Sequence, residues 1–169
     1  MIGRLRSATA LWLANLVSAL TPQTRLFGLR RALFGAAGVT VAKQARLCGT
    51  VRIHHPNVSI GASWIGARVD IISTRSAPVR IGDRCDIGPG ATLVTGTHEP
   101  GDHGRRAGAG TAAAIEIGDG SWVGARATFV AGAGVGAGCI VAAGAVLTQR
   151  FGDDVLVGGV PAKVLRELT

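Results

Sequence analysis

Ile117-Gly-Asp-Gly-Ser-Trp122, Val123-Gly-Ala-Arg-Ala-Thr128, Phe129-Val-Ala-Gly-Ala-Gly134, Val135-Gly-Ala-Gly-Cys-Ile140 and Val141-Ala-Ala-Gly-Ala-Val146 are consecutive blocks of six, and Leu147 opens the next. Each block begins with an apolar residue, usually followed by glycine. The fifth place is always small: Ser121, Ala127, Ala133, Cys139, Ala145. A helix repeats at about 3.6 residues and a free strand at about 2, so a sustained period of six fits neither alone. It fits a short strand plus a turn, wound repeatedly into a solenoid.

The pattern extends upstream. Val41, Leu47 and Ile53 stand six apart. The phase slips around Ile60, Ile65 and Ile71, with Pro56 and Pro78 marking places for a bulge or short loop. Register is firm again in Ile81-Gly-Asp-Arg-Cys-Asp, Ile87-Gly-Pro-Gly-Ala-Thr and Leu93-Val-Thr-Gly-Thr-His98. If three hexads close one triangular coil, residues 81–98, 117–134 and 135–152 stack as successive coils, with their first-place residues forming a continuous core. Residues 99–114 lack the pattern and are rich in glycine and charge, which predicts a loop thrown out from the coil. A long unpatterned loop in a compact domain is more often functional than idle.

The flanks differ. Residues 1–38 read as a helical cap, with one helix near 5–20 and a second near 23–35 that has Arg25, Arg30 and Arg31 on its polar side. Terminal repeats need covering, which is one reading of this segment. The other is a basic amphipathic element lying on an anionic membrane surface through residues 1–35. The apolar run from Ala8 to Leu20 is too short to span a bilayer, and no small-x-small cleavage site follows Arg4 and Arg6 at the right place. Residues 39–169 form the solenoid domain, and its last few residues suggest a short helix.

Composition limits the function classes. The chain has 169 residues, which bounds it at one domain with an appendage. Apolar residues make up 47% and aromatics 4%, a balance that suits a narrow repeat coil better than a globular core. Net charge is +8, and 16 of the 18 basic residues are Arg. They are scattered and lack interleaved aromatics, so no nucleic-acid partner is expected. Cys48, Cys85 and Cys139 have no metal-ligand spacing and read as small core residues in a reducing, cytoplasmic setting.

The hexads, Thr97-His98 before the extruded segment, Gly120-Ser-Trp-Val-Gly124, and the ending Gly159-Val-Pro-Ala-Lys-Val164 together resemble the hexapeptide-repeat acyltransferases over about residues 40–168. The nearest likeness is to the maltose, galactoside and colanic-acid type O-acetyltransferases. The resemblance implies a left-handed parallel β-helix, a homotrimer with sites between neighbouring subunits, acetyl-CoA as donor, and no metal. It places His98 as the catalytic base, a role that suits a side chain with an unperturbed pKa of about 6.5. Glu99 is a candidate to orient the imidazole; a solvated loop carboxylate is the alternative. The positions implied for CoA are Trp122, Ala125, Ala143, Thr148, Gln149, Lys163 and Arg166, with the Ala125 N–H suited to the thioester oxyanion. Gln149 departs from the lysine common in relatives. His103, Arg105 and Arg106 are either acceptor contacts or loop surface.

The implied reaction is acetyl transfer to a sugar or glycan hydroxyl by direct attack, since no residue reads as an activated nucleophile. Two other classes stay open. A zinc hydratase of the γ-carbonic anhydrase type would use His98 and His103, but a third ligand in register is missing. A non-catalytic trimeric scaffold is the remaining alternative.

Overall fold

A computed structural model describes the backbone of residues 2–169 and the side chains of residues 8–169; the side chains of Arg4 and Arg6 lie outside the described residues. The chain forms two helices, α1 (Ile2–Leu20) and α2 (Phe27–Ala36), followed by a three-sided solenoid of parallel strands. Along the first face the inward residues stack as Val41, Ile60, Ile81, Ile117, Val135 and Phe151. The second face stacks Leu47, Ile65, Ile87, Val123, Val141 and Val157. The third stacks Ile53, Ile71, Leu93, Phe129 and Leu147. The coils read from the hexads, at 81, 117 and 135, therefore lie directly on one another. The uneven stretch around 60–71 is a full coil whose extra residues sit in the turns at 54–57 and 73–78.

Small residues are required where coils touch. A Cβ on Gly118 would lie 2.4 Å from Gly136 C, and one on Gly124 would lie 2.5 Å from Ala143 N, so each is held to glycine by the coil beneath. Fifth-place residues on the edge between the first and second faces form a hydrogen-bonded column. Ser63 Oγ donates to Gly82 O at 2.7 Å and accepts from Cys85 N at 2.7 Å. Ser121 Oγ donates to Gly136 O at 2.9 Å and accepts from Cys139 N at 3.1 Å. Cys85 and Cys139 are buried, as read from the sequence, and their thiols point at Gly118 O and Gly152 O. Burial raises both thiol pKa values above the ordinary range, which disfavours thiolate. On the outside of the first face, Glu116 accepts from Arg80 at 2.9 Å and Arg150 at 2.6 Å, and the Arg150 hydrogen bond is the main cause lowering its pKa.

Three local expectations are corrected. The segment expected as an irregular loop at 99–114 is mostly an antiparallel hairpin, Gly96–Pro100 with Ala107–Ala112. Its turn is closed by Asp102 Oδ1, which accepts from Gly104 N at 2.9 Å and Arg105 N at 3.0 Å. The chain end is not a helix. Ala162–Glu167 is a strand that folds back antiparallel on Val155–Gly159, pairing the otherwise open edge of the last coil. Arg30, expected on the polar side of the second helix, is fully buried. Its guanidinium donates to Thr21 Oγ1, Pro22 O, Arg25 O and Leu47 O. The open first coil presents unpaired carbonyls that need such a donor. The second helix also starts at Phe27, because Leu26 is used in the turn at φ 59°.

Candidate active site

The functional candidates fall on two lines along the prism. One lies at the edge between the second and third faces. There the corner residues, one per coil, are Ala67, Pro89, Ala125 and Ala143. Among the described residues no acceptor meets the N–H of Ala125 or Ala143. Pro89 fits the same place because it has no N–H to satisfy. The edge between the first and second faces is different. There Asp83 accepts from Ala62 N at 2.7 Å, Asp119 from Asp83 N at 2.9 Å and Asp153 from Ala137 N at 2.8 Å. Three corner donors, on Ala62, Asp83 and Ala137, are thus satisfied by carboxylates on one edge, while those of Ala125 and Ala143 are left open on the other.

Register brings three more candidates, Lys163, Arg166 and Trp122, close to the open edge. Lys163 pairs with Gly158, which follows Val157 as Gly124 follows Val123, so Lys163 sits at the foot of that edge. Arg166 pairs with Leu156, beneath Ile140 and Trp122 in the outward column of the second face. With strands about 4.8 Å apart, Ala125 to Lys163 spans roughly 15 Å, a ledge suited to a long extended ligand. Trp122 faces outward and is 57% exposed, as its sixth-place position predicts.

Sequence reasoning missed Arg126. It follows Ala125 at φ 58°, as Arg68 follows Ala67 at φ 58°, a left-handed conformation taken by glycine at the equivalent Gly90 and Gly144. A non-glycine residue there costs about 1–2 kcal/mol, and such strain concentrates at functional sites. Only the backbone angle reveals this; the residue reads in sequence as one more scattered arginine.

The other candidates lie on the third edge, between the third and first faces, where the hairpin leaves the coil. His98 is exposed and pairs across the hairpin with Gly110, where a Cβ would meet nothing within 4 Å. Its flank is therefore uncovered. Glu99 occupies the irregularity between His98 and Pro100, and no hydrogen bond or ion pair joins the two side chains among the described residues. Thr148 and Gln149 are exposed on the same edge two coils further on. His103, Arg105 and Arg106 are exposed at the hairpin end. Beside the hairpin base, His55, Asn57, Ser59, Arg75 and Arg80 line an open groove of about 490 Å³. Thr74 N donates to Thr95 Oγ1 at 2.9 Å and ties this groove to the hairpin. Burial, with Arg75 nearby, lowers the His55 pKa and favours its neutral form. Within one chain, then, the open edge and His98 lie on opposite sides of the third face. No three His, Cys, Asp or Glu side chains among the described residues come together as metal ligands.

The chain thus presents a ledge with free N–H groups and flanking cations on one edge and an exposed imidazole on another. Comparison with known proteins gives the class. The family model described as the hexapeptide repeat of succinyl-transferase matches residues 78–98 and 114–149. A Dictyostelium discoideum protein described as a candidate acetyltransferase is 30% identical over 83% of this chain and 72% of its own length. The galactoside O-acetyltransferase of Escherichia coli is 29% identical over 66% of this chain, which spans 55% of that protein. A hexapeptide-repeat acetyltransferase of Vibrio cholerae, solved with acetyl coenzyme A, is 27% identical with a TM-score of 0.73, covering 96% of this chain and 87% of that one. The chain belongs to the hexapeptide-repeat acetyltransferases. Its solenoid is the left-handed parallel β-helix of that family.

Proposed function

We propose that this protein transfers the acetyl group of acetyl-CoA to a hydroxyl of a sugar or glycan acceptor, at sites formed between neighbouring chains of a homotrimer. The observation that carries the reading is the open edge. Ala125 and Ala143 offer N–H groups with no protein acceptor, beside Arg126 and above Lys163. Acetyl-CoA lies along this ledge, with its phosphates toward the cations and its thioester carbonyl at the Ala125 N–H. His98 reaches it from the third edge of an adjacent chain, which is why one chain alone does not bring the two lines together.

His98 takes the acceptor hydroxyl proton as the oxygen attacks the thioester carbon. The tetrahedral oxyanion is held by the Ala125 N–H. The C–S bond then breaks, and the departing thiolate takes the proton from the imidazolium. Cys85 and Cys139 are excluded as acyl carriers by burial and raised pKa. Glu99 makes no hydrogen bond or ion pair with His98 among the described residues, so it is given no part in orienting the imidazole. The polar groove around His55, Asn57 and Arg75 suits a hydroxyl-rich acceptor.

The test is thioester consumption from acetyl-CoA across a panel of sugars and amino sugars, wild type against His98→Ala. Loss of a general base lowers kcat by about 10²–10⁴-fold. Equal turnover by both proteins with every acceptor would remove His98 as the base.

A further inference from the structure

The helical cap is built inside out. On α1, Leu11, Ala14 and Ser18 are buried against the first coil and Asn15 is half-buried there. Leu11 apart, these inward residues are small or polar for a reason. The first coil is the open end of every sheet, and its backbone has no neighbouring strand on that side. Asn15 supplies the missing pairing, donating to Ile53 O at 2.8 Å and accepting from Ile53 N at 2.9 Å. Ser18 Oγ donates to Val51 O at 3.0 Å, and Arg31 donates to Ala45 O at 2.9 Å. With Arg30 on Leu47 O, the cap satisfies the coil end through polar groups.

The large apolar residues consequently face out. Trp12 is 65% exposed and Leu20 76%, with Leu13 and Leu16 also exposed. At 100° per residue these four fall in one arc of about 100°, opposite the buried stripe. Leu26 and Leu29 extend the exposed apolar surface at the start of α2. A surface helix ordinarily buries its large apolar face; one that turns it outward marks an interaction surface.

Charge identifies the partner. All ten acidic residues of the chain lie at Asp70 or beyond, so residues 1–69 carry nine Lys and Arg and no carboxylate side chain. That part is +9, against −1 for residues 70–169, within the total of +8. Residues 1–69 are the helices and the first coils, gathered at one end of the stack. Arg52 and Arg68 line a groove with Ala19, Thr50 and Asp70 beside the helix, two cations to one carboxylate. A second copy presenting the same face would bring two strongly positive ends together. No described helix is long and apolar enough to cross a membrane, which leaves a helix lying in the interface.

We propose that the helical end docks on an anionic phospholipid bilayer, with Trp12, Leu13, Leu16 and Leu20 in the headgroup–acyl boundary and the surrounding arginines on lipid phosphates. The inference is independent of the acetyltransferase reading. It orients the solenoid with its helical pole on the membrane and its hairpin and open edge along the side.

The full chain is sedimented with phosphatidylcholine vesicles, with and without phosphatidylglycerol, at physiological and at high salt. Association with the anionic vesicles, weakened by salt, is expected. A Leu16→Glu/Leu20→Glu variant should lose at least about tenfold in partitioning, while its thermal transition, mass by light scattering and acetyl-CoA turnover on a soluble acceptor stay as in wild type. Failure of the wild type to bind anionic vesicles overturns the proposal, as does undiminished binding by the variant. A fall in oligomeric mass for the variant would overturn it too, by assigning the face to a contact between copies.

Discussion

Two edges of the same prism solve the same problem in opposite ways. Both turn the chain through a tight corner once per coil, and at each corner but that of Pro89 a backbone N–H is presented to the outside. On the edge holding Asp83, Asp119 and Asp153, carboxylates accept the donors of Ala62, Asp83 and Ala137. On the edge holding Ala67, Pro89, Ala125 and Ala143, no acceptor among the described residues meets Ala125 N or Ala143 N. A corner that serves only stability is closed with a side chain. A corner left open retains its donors for something else, and small residues keep the path to them clear.

Converting the open edge into a closed one should have the largest effect. In Ala143→Asp, the new carboxylate stands where Asp119 and Asp153 stand on the other edge and caps the Ala125 N–H. It also places a negative charge beside the CoA phosphates. Calorimetry should show CoA binding weakened about 100-fold, the equivalent of roughly 3 kcal/mol, with the fold no less stable. If the variant binds CoA as wild type does, the open edge is not the donor site.

The reverse substitution separates the two roles. Asp119→Ala uncaps Asp83 N and removes an exposed ion pair with Arg84. A stability loss of about 1 kcal/mol is expected, visible as a fall in Tm of roughly 3 °C, with CoA affinity unchanged. A large loss of CoA affinity would mean that the closed edge also meets the donor.

Arg126→Gly gives the smallest effects, in opposite directions. Relief of the left-handed conformation should stabilise the fold by up to about 1 kcal/mol. Removing an exposed cation near the phosphates should raise the CoA Kd only a few-fold, since such pairs are worth about 1 kcal/mol or less. Differential scanning calorimetry and CoA titration on one preparation read both.

Much of this contrast was legible in the chain, but only part was interpretable there. The six-residue period aligned Ile81, Ile117 and Val135 correctly, because inward packing demands an apolar residue at each first place. Where turns absorb extra residues, at 54–57 and 73–78, only strand pairing restores the register. The aspartates and alanines of the two edges were visible, yet which N–H each one meets depends on the coil above or below. Local pattern failed where an open edge overrode it. The end of the chain became a strand because the last coil lacked a partner, and Arg30 was buried because the first coil lacked donors. The hairpin was obscured because both its faces are exposed, so no apolar alternation marks it. His98 was singled out by the family resemblance and its place at the exit from the coil, whereas the left-handed backbone of Arg126 needed a dihedral angle.

The central claim is that the open edge and His98 meet across a boundary between chains. Mixing His98→Ala and Ala143→Asp proteins under conditions that exchange subunits tests it directly. Each is expected to be nearly inactive alone. In random mixed trimers, sites pairing an intact His98 with an intact edge from the next chain should restore about a quarter of the wild-type rate. Exchange confirmed by mass spectrometry with no recovery of turnover would contradict the claim.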